Sequence, residues 1–223
     1  MITVNLFIKV YSDLYFDLKM KILLVAAIPN ELKAIKEWIK SANLKVNLNI
    51  DYLCCGVWNY ETISSLEHYL TKNLEPTFIW NVWICGYWNK NNEKKSKPIQ
   101  IASVVNIHNE KEIIIPPFLK LEQFKTCFSS ENVIFKRPTF QKEFLNENDE
   151  MYFDMESRWI EFVLSKYKYP RLILKVPFDF IGNDENISVE YDGELSAKIS
   201  NILKNLPYQN YLEDILKWMK NNE

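Results

Sequence analysis

Unbroken apolar runs alternate along this chain with stretches of helical periodicity. Lys21 to Ala27 is apolar after its leading lysine, the pattern of a strand covered on both faces. Pro29 follows where a helix makes its first turn, and Leu32, Ile35, Trp38, Ile39 and Ala42 recur at helical spacing. Lys45 to Val57 reads as one or two strands, and Thr62 to Lys72 as an amphipathic helix with Ile63, Leu66, Tyr69 and Leu70 on one side. Phe78 to Cys85 and Ile99 to Ile107 read as further buried strands. Ile113 to Phe128 reads as an irregular connector marked by Pro116-Pro117, and Val133 to Phe135 as a short strand. Ser157 to Lys166 predicts a helix, Arg171 to Val176 a strand, and Glu190 to Leu206 and Tyr211 to Lys220 two closing helices. Strands alternating with helices predict an α/β fold, a mostly parallel or mixed central sheet flanked by helices on both faces.

Composition narrows the function classes. A chain of 223 residues fits one domain, and 48% hydrophobic with 14% aromatic residues supplies a large core. The net charge of −2, with Lys and Arg dispersed, offers no electrostatic footprint for nucleic acid. Cys54, Cys55, Cys85 and Cys127 lack metal-ligand spacing and read as reduced core thiols, Cys54 and Cys55 within a buried strand, of a cytoplasmic protein. Residues 1–19 precede Met20, and Lys9, Asp13 and Asp17 break the stretch Ile2 to Leu18. That stretch is therefore neither a secretory signal nor a membrane span. Met20 is read as the start of a single domain over 20–223, with 1–19 an N-terminal extension or an extra edge strand.

Three acids stand where chemistry is expected. Glu31 follows the first core strand, Glu156 closes Phe153-Asp154-Met155-Glu156, and Asp179 closes Lys175-Val176-Pro177-Phe178-Asp179. Open α/β sheets bind ligands beyond the carboxyl ends of their strands, and each acid sits at such a point or at a helix start beside one. Plainer roles exist. Glu31 suits the first turn of a helix; Glu156 is placed to start a helix, with Arg158 as a partner; Phe140 is more at home in a core than on a ligand. His68, beside Glu67 on a helix, reads as solvated, His108 as a loop residue, and Asn183-Asp184 as a turn.

In this order the acids resemble the nucleoside phosphorylase superfamily, and within it the methylthioadenosine/adenosylhomocysteine nucleosidases and futalosine hydrolases. Met20 to Leu32 looks like the family's first strand, loop and helix start, with Glu31 at the position of the Glu that orients the attacking water. Asp154-Met155-Glu156 looks like its Met-Glu motif, which places Met155 at the substrate and Glu156 on the ribose hydroxyls. Val176-Pro177-Phe178-Asp179 stands where the segment ending in the catalytic Asp stands, and Thr139-Phe140 resembles the base-stacking segment. The resemblance implies a cytoplasmic purine nucleosidase acting on a small-molecule nucleoside without metal or cofactor, with no nucleic-acid or membrane partner. It allows a homodimer whose partner helps close the site.

The departures keep a second reading open. The chain has only four glycines, and the turns Gly56-Val57-Trp58-Asn59 and Ile84-Cys85-Gly86-Tyr87-Trp88 are crowded where the family has small residues. Phe178 replaces the usual Ser before the catalytic Asp, and Arg158 and Trp159 replace small residues after Glu156. The arginine pattern with which phosphorylases hold phosphate is missing, which favours hydrolysis. The alternative is a diverged, catalytically inactive member serving as a ligand-binding or protein-interaction module, with Trp58, Trp83 and Trp88 filling the old pocket.

Overall fold

A computed structural model describes residues 21–41, 49–57, 59–73, 77–91, 93, 97–116, 124–134, 136–140, 144, 149–182 and 193–222. The expectations for residues 1–19, Met20, Trp58, Phe135, Asn183 and Asp184 lie outside the described residues. The elements run β1 (Lys21–Ala26), α1 (Pro29–Ser41), β2 (Ile50–Cys54), α2 (Asn59–Lys72), β3 (Thr77–Asn89), β4 (Ile99–Asn106), β5 (Glu112–Ile114), β6 (Phe124–Ser129), β7 (Glu150–Asp154), α3 (Ser157–Tyr167), β8 (Arg171–Phe180), α4 (Gly193–Lys204) and α5 (Tyr208–Asn221).

The eight strands form one mixed sheet. β1 lies between β2 and β3, parallel to both, which explains its apolar run: hydrophobic side chains are wanted on both faces. Ile22 and Leu24 face one core with α1, α4 and α5, while Leu23 and Val25 face another with α2 and α3. β3 is long enough to serve two neighbourhoods. Its first half pairs with β1, its far end pairs antiparallel with β7, and β8 runs parallel to most of its length. β8 also meets β4, β4 meets β6, and β6 meets β7. These pairings close a ring, β3–β8–β4–β6–β7, whose inside holds Cys85, Tyr87, Ile101, Cys127, Tyr152 and Ile173.

Three expectations are corrected here. The segment read as an irregular connector contains β5 and the ring strand β6; Phe124 to Ser129 was obscured because Lys125 and Thr126 interrupt its apolar residues. Thr126 is nevertheless buried, its hydroxyl 2.9 Å from that of Ser103 on β4, so a polar pair stands in for hydrophobic packing. Val133 and Ile134 form no strand; Val133 is exposed and Ile134 packs against an aromatic cluster outside the ring. β7, Glu150–Asp154, was not anticipated as a strand at all. Cys54 is exposed at the end of the edge strand β2, whereas Cys55, Cys85 and Cys127 are buried thiols. His68 and His108 are exposed.

A buried ion pair ties α3 to the start of β8. Arg171 donates to both carboxylate oxygens of Glu161, at 2.7 and 2.6 Å, with both side chains almost wholly enclosed. Removing one partner strands the other charge in the core. Arg171→Met is expected to cost about 3–5 kcal/mol, with much of that recovered in Arg171→Met/Glu161→Leu. Urea denaturation midpoints of the two variants check this; equal losses in both would contradict it.

Candidate active site

Glu31 is the third residue of α1, and its carboxylate turns back on the chain rather than out to solvent. Its Oε2 accepts from the N–H groups of Ala27 and Ile28, each at 3.2 Å. Reaching back to the residue before the helix is the glutamate half of a capping box. Its Oε1 accepts from Ile84 N at 3.3 Å, on the part of β3 that continues past the end of β1. Glu31 is 1% exposed. Burial pushes its carboxyl above the usual range, while the three N–H groups and the charge of Lys175 pull it back.

Glu156 lies in the turn between β7 and α3. Asp154, two residues earlier, accepts with Oδ2 from Ser157 N at 3.0 Å and from the Ser157 hydroxyl, fixing the start of the helix. Glu156 itself takes Met155 N at 3.2 Å through Oε2 and is buried. Burial pushes its carboxyl well above the ordinary range; the charge on Asp154 and that on Glu31 push the same way, against Lys175. Arg158 is not the partner proposed for Glu156. It lies 3.8 Å from Glu131 and over the ring of its neighbour Trp159.

Asp179 reaches its position through a bulge. β8 runs in register with β3 to Pro177 opposite Cys85, then Phe178 is left over and Asp179 falls opposite Gly86. A bulge changes which side the following residues face. Phe178 packs with the core of α1, α4 and α5, while Phe180 turns into the ring against Tyr87. Gly86 places no side chain beside Asp179; a Cβ there would come 2.9 Å from Ile181 Cδ1. Burial alone pushes the Asp179 carboxyl up.

The structure therefore places Glu31 and Glu156 within each other's electrostatic reach, whereas no such coupling accompanies Asp179, whose neighbour in that sense is the Cys85 thiol. Phe140 stacks on Phe128 at 4.7 Å between centroids and meets Phe144 edge-on, within an aromatic cluster that includes Phe153. Trp83 is a core residue, 1% exposed. Trp88 is half-buried beneath the Arg137 guanidinium and touches the backbone at Gly182.

Two residues of the cluster were missed in the sequence. Lys175 is completely buried, its Nζ 2.5 Å from Asp154 Oδ2 and 4.3 Å from the centroid of the Trp83 ring. Burial opposes its charge, but Asp154 outweighs this and holds the ammonium protonated. Burial likewise opposes ionisation of Asp154, and Lys175 with Ser157 overcomes it, keeping that carboxyl below the usual range. The available signal was a lysine in the middle of the apolar strand Leu172-Ile173-Leu174-Lys175-Val176, since a buried cation demands a partner. Among the described residues, no three His, Cys, Asp or Glu side chains are grouped so as to hold a metal ion. No described helix is long and apolar enough to cross a membrane.

Glu156 can be tested against its plainer role. Its raised carboxyl means that the folded state prefers the protonated form. Stability is then lost as pH rises above the ordinary glutamate value towards the folded one. Glu156→Gln removes that loss, so its melting temperature should exceed the wild type's by a margin that grows from pH 4.5 to 8. A simple helix-start carboxylate would show the reverse, a variant less stable than wild type across that range.

Comparison with known proteins bears on the fold. No protein-family model matches the sequence, and a search of curated proteins finds no significant match. Among solved structures, a putative 5′-methylthioadenosine/S-adenosylhomocysteine nucleosidase from Borrelia burgdorferi B31, bound to adenine, superposes with a TM-score of 0.62 at 12% identity, over 91% of this chain and 100% of that one. The Campylobacter jejuni nucleosidase gives 0.61 at 14% identity, over 91% and 99%. The Chlamydia trachomatis nucleosidase bound to methylthioadenosine, in an Asp-to-Asn variant, gives 0.58 at 18%, over 87% and 99%. The chain thus carries the nucleoside phosphorylase-like fold of the methylthioadenosine/adenosylhomocysteine nucleosidases.

Proposed function

We propose that this protein hydrolyses the N-glycosidic bond of a 5′-modified purine nucleoside. The observation that carries this reading is the pair of buried carboxyls, Glu31 and Glu156, within electrostatic reach of Lys175 in a fold shared with solved nucleosidases. Stability alone does not favour burying two like acids together. Burial of this kind is found where a ligand is to be handled.

In the reaction, a water attacks C1′ as the bond to the base breaks, and the bonding electron pair leaves with the purine. Asp179 donates a proton to the departing base, a role that suits a carboxyl whose burial raises its pKa. Glu31 accepts the proton of the water; its oxygens are oriented by Ala27, Ile28 and Ile84. Glu156 accepts hydrogen bonds from the ribose hydroxyls, and its charge favours the cationic sugar of the transition state. Met155 and Phe140 border the nucleoside. The grouped acids favour a neutral water over phosphate as nucleophile, in keeping with hydrolysis.

A second reading rests on Phe140. One face of its ring is already covered by Phe128, and Trp88 closes on Gly182, as expected of a diverged module whose base site has been filled. Adenine release distinguishes the two. Incubation with methylthioadenosine and adenosylhomocysteine, with and without phosphate, should yield free base in both conditions. Asp179→Asn should lower the rate about 10²–10⁴-fold while the protein stays folded. No release by the folded wild type supports the module.

The pH dependence follows from the same groups. Activity should rise as Glu31 and Glu156 lose their protons and fall as Asp179 loses its own. All three carboxyls are raised, so both limbs of the kcat/KM profile should lie above the ordinary carboxylate range. Asp179→Asn should remove the alkaline limb. A flat profile between pH 5 and 8 in the wild type would contradict these assignments.

A further inference from the structure

Lys175 and Asp154 donate and accept no proton in the hydrolysis as drawn, yet they sit beside both glutamates. The ammonium and the carboxylate are 2.5 Å apart, at 0% and 2% exposure, with the indole of Trp83 beneath the cation. They join β8 to β7, strands that each pair with β3 and not with one another. The Oδ2 atom that meets Lys175 also holds Ser157 N and the Ser157 hydroxyl. Met155 and Glu156 are the two residues spanned by that link, so the turn carrying Glu156 is pinned at both ends. Asp154 is also hydrogen-bonded by the Ser129 hydroxyl at the end of β6. Packing does not require such a group, since well-packed apolar side chains commonly replace a buried ion pair without loss.

We infer that Lys175 and Asp154 are positioning residues of the proposed nucleosidase: their bridge fixes the Glu156 turn, and the Lys175 ammonium alone is the positive charge against which Glu156 ionises to grip the ribose hydroxyls. The inference deepens the nucleosidase reading and takes its catalytic meaning from it. The titratable groups facing Lys175 are Asp154 from β7, Glu156 from the turn before α3, Glu31 from α1, Cys127 from β6 and Cys85 from β3. Carboxyls dominate that set, so an uncharged residue at Lys175 leaves the acids to repel one another. Glu156 would then keep its proton to higher pH and offer a protonated oxygen where the ribose needs an acceptor.

The test compares Lys175→Met, which removes the cation and keeps the acids, with Lys175→Arg, which keeps a cation, and with Lys175→Met/Asp154→Asn, a neutral pair that leaves no stranded charge. The first readout needs no activity: carbon-13 NMR titration of glutamate carboxyls, with Glu156 assigned through Glu156→Gln. In Lys175→Met the Glu156 titration should move up by about one pH unit or more, while Lys175→Arg, which keeps a cation, and the neutral pair, which also loses the opposing charge of Asp154, should both lie below it. The second readout is kinetic: the neutral pair, which unpins the Glu156 turn, should raise KM about tenfold or more with a smaller change in kcat, and Lys175→Met should in addition shift the acid limb of kcat/KM upward. An unshifted Glu156 titration in folded Lys175→Met, or an unchanged KM in the folded neutral pair, overturns the inference. So does a neutral pair that cannot fold alongside a Lys175→Arg protein with a displaced titration, since the bridge is then structural and not specific to Glu156. If the wild type releases no base, the nucleosidase reading fails on its own, and the titration still decides whether the bridge governs Glu156.

Discussion

A lysine ammonium with no access to water is the constraint around which the centre of this molecule is arranged. Enclosing such a charge costs several kcal/mol unless an anion of good geometry meets it. Asp154 meets it here, and the need to do so fixes where β7 lies relative to β8, although the two strands share no backbone pairing. The indole of Trp83 supplies a second, weaker attraction from below. Around this pair the sheet closes into a ring, and at the ring's edge the chain leaves β7 to start α3 and leaves β8 after Phe180. Glu156 and Asp179 ride on those two exits. Glu31 comes from α1 to within electrostatic reach of Glu156, held by the backbone N–H groups of Ala27, Ile28 and Ile84.

How much of this was legible depended on whether a side chain's surroundings could be guessed from its neighbours in sequence. β1, β3, β4 and β8 announced themselves because strands covered on both faces need long apolar runs. β6 and β7 did not. Lys125 and Glu150 pair with each other inside the structure, and Thr126 pairs with Ser103, so charged and polar residues there satisfy one another across strands far apart in sequence. Val133 and Ile134 misled in the opposite sense, a short apolar stretch that serves as cover for an aromatic cluster. Tertiary pairing outweighed local pattern in each case.

The same limit applied to the site. Glu31, Glu156 and Asp179 were visible because an acid at the end of an apolar run is conspicuous. Lys175 was passed over because it sits inside such a run, and Asp154 because it precedes the more suggestive Met155 and Glu156. The bulge at Phe178 could not be read, since register is a property of two strands. Phe140 reads from the sequence both as a base platform and as a core residue; it lies on Phe128, and its capacity to serve a base depends on its second face.

Whether the acids meet a nucleoside decides between an enzyme and a filled relic of one. The most direct measurement is a crystal structure of the Asp179→Asn protein soaked with methylthioadenosine. An operating site places both ribose hydroxyls on Glu156, a water between Glu31 and C1′, and the purine beside residue 179 with Phe140 against it. A protein in which Phe140, Phe128 and Trp88 keep their present contacts and no nucleoside is seated near Glu156 would contradict the nucleosidase reading.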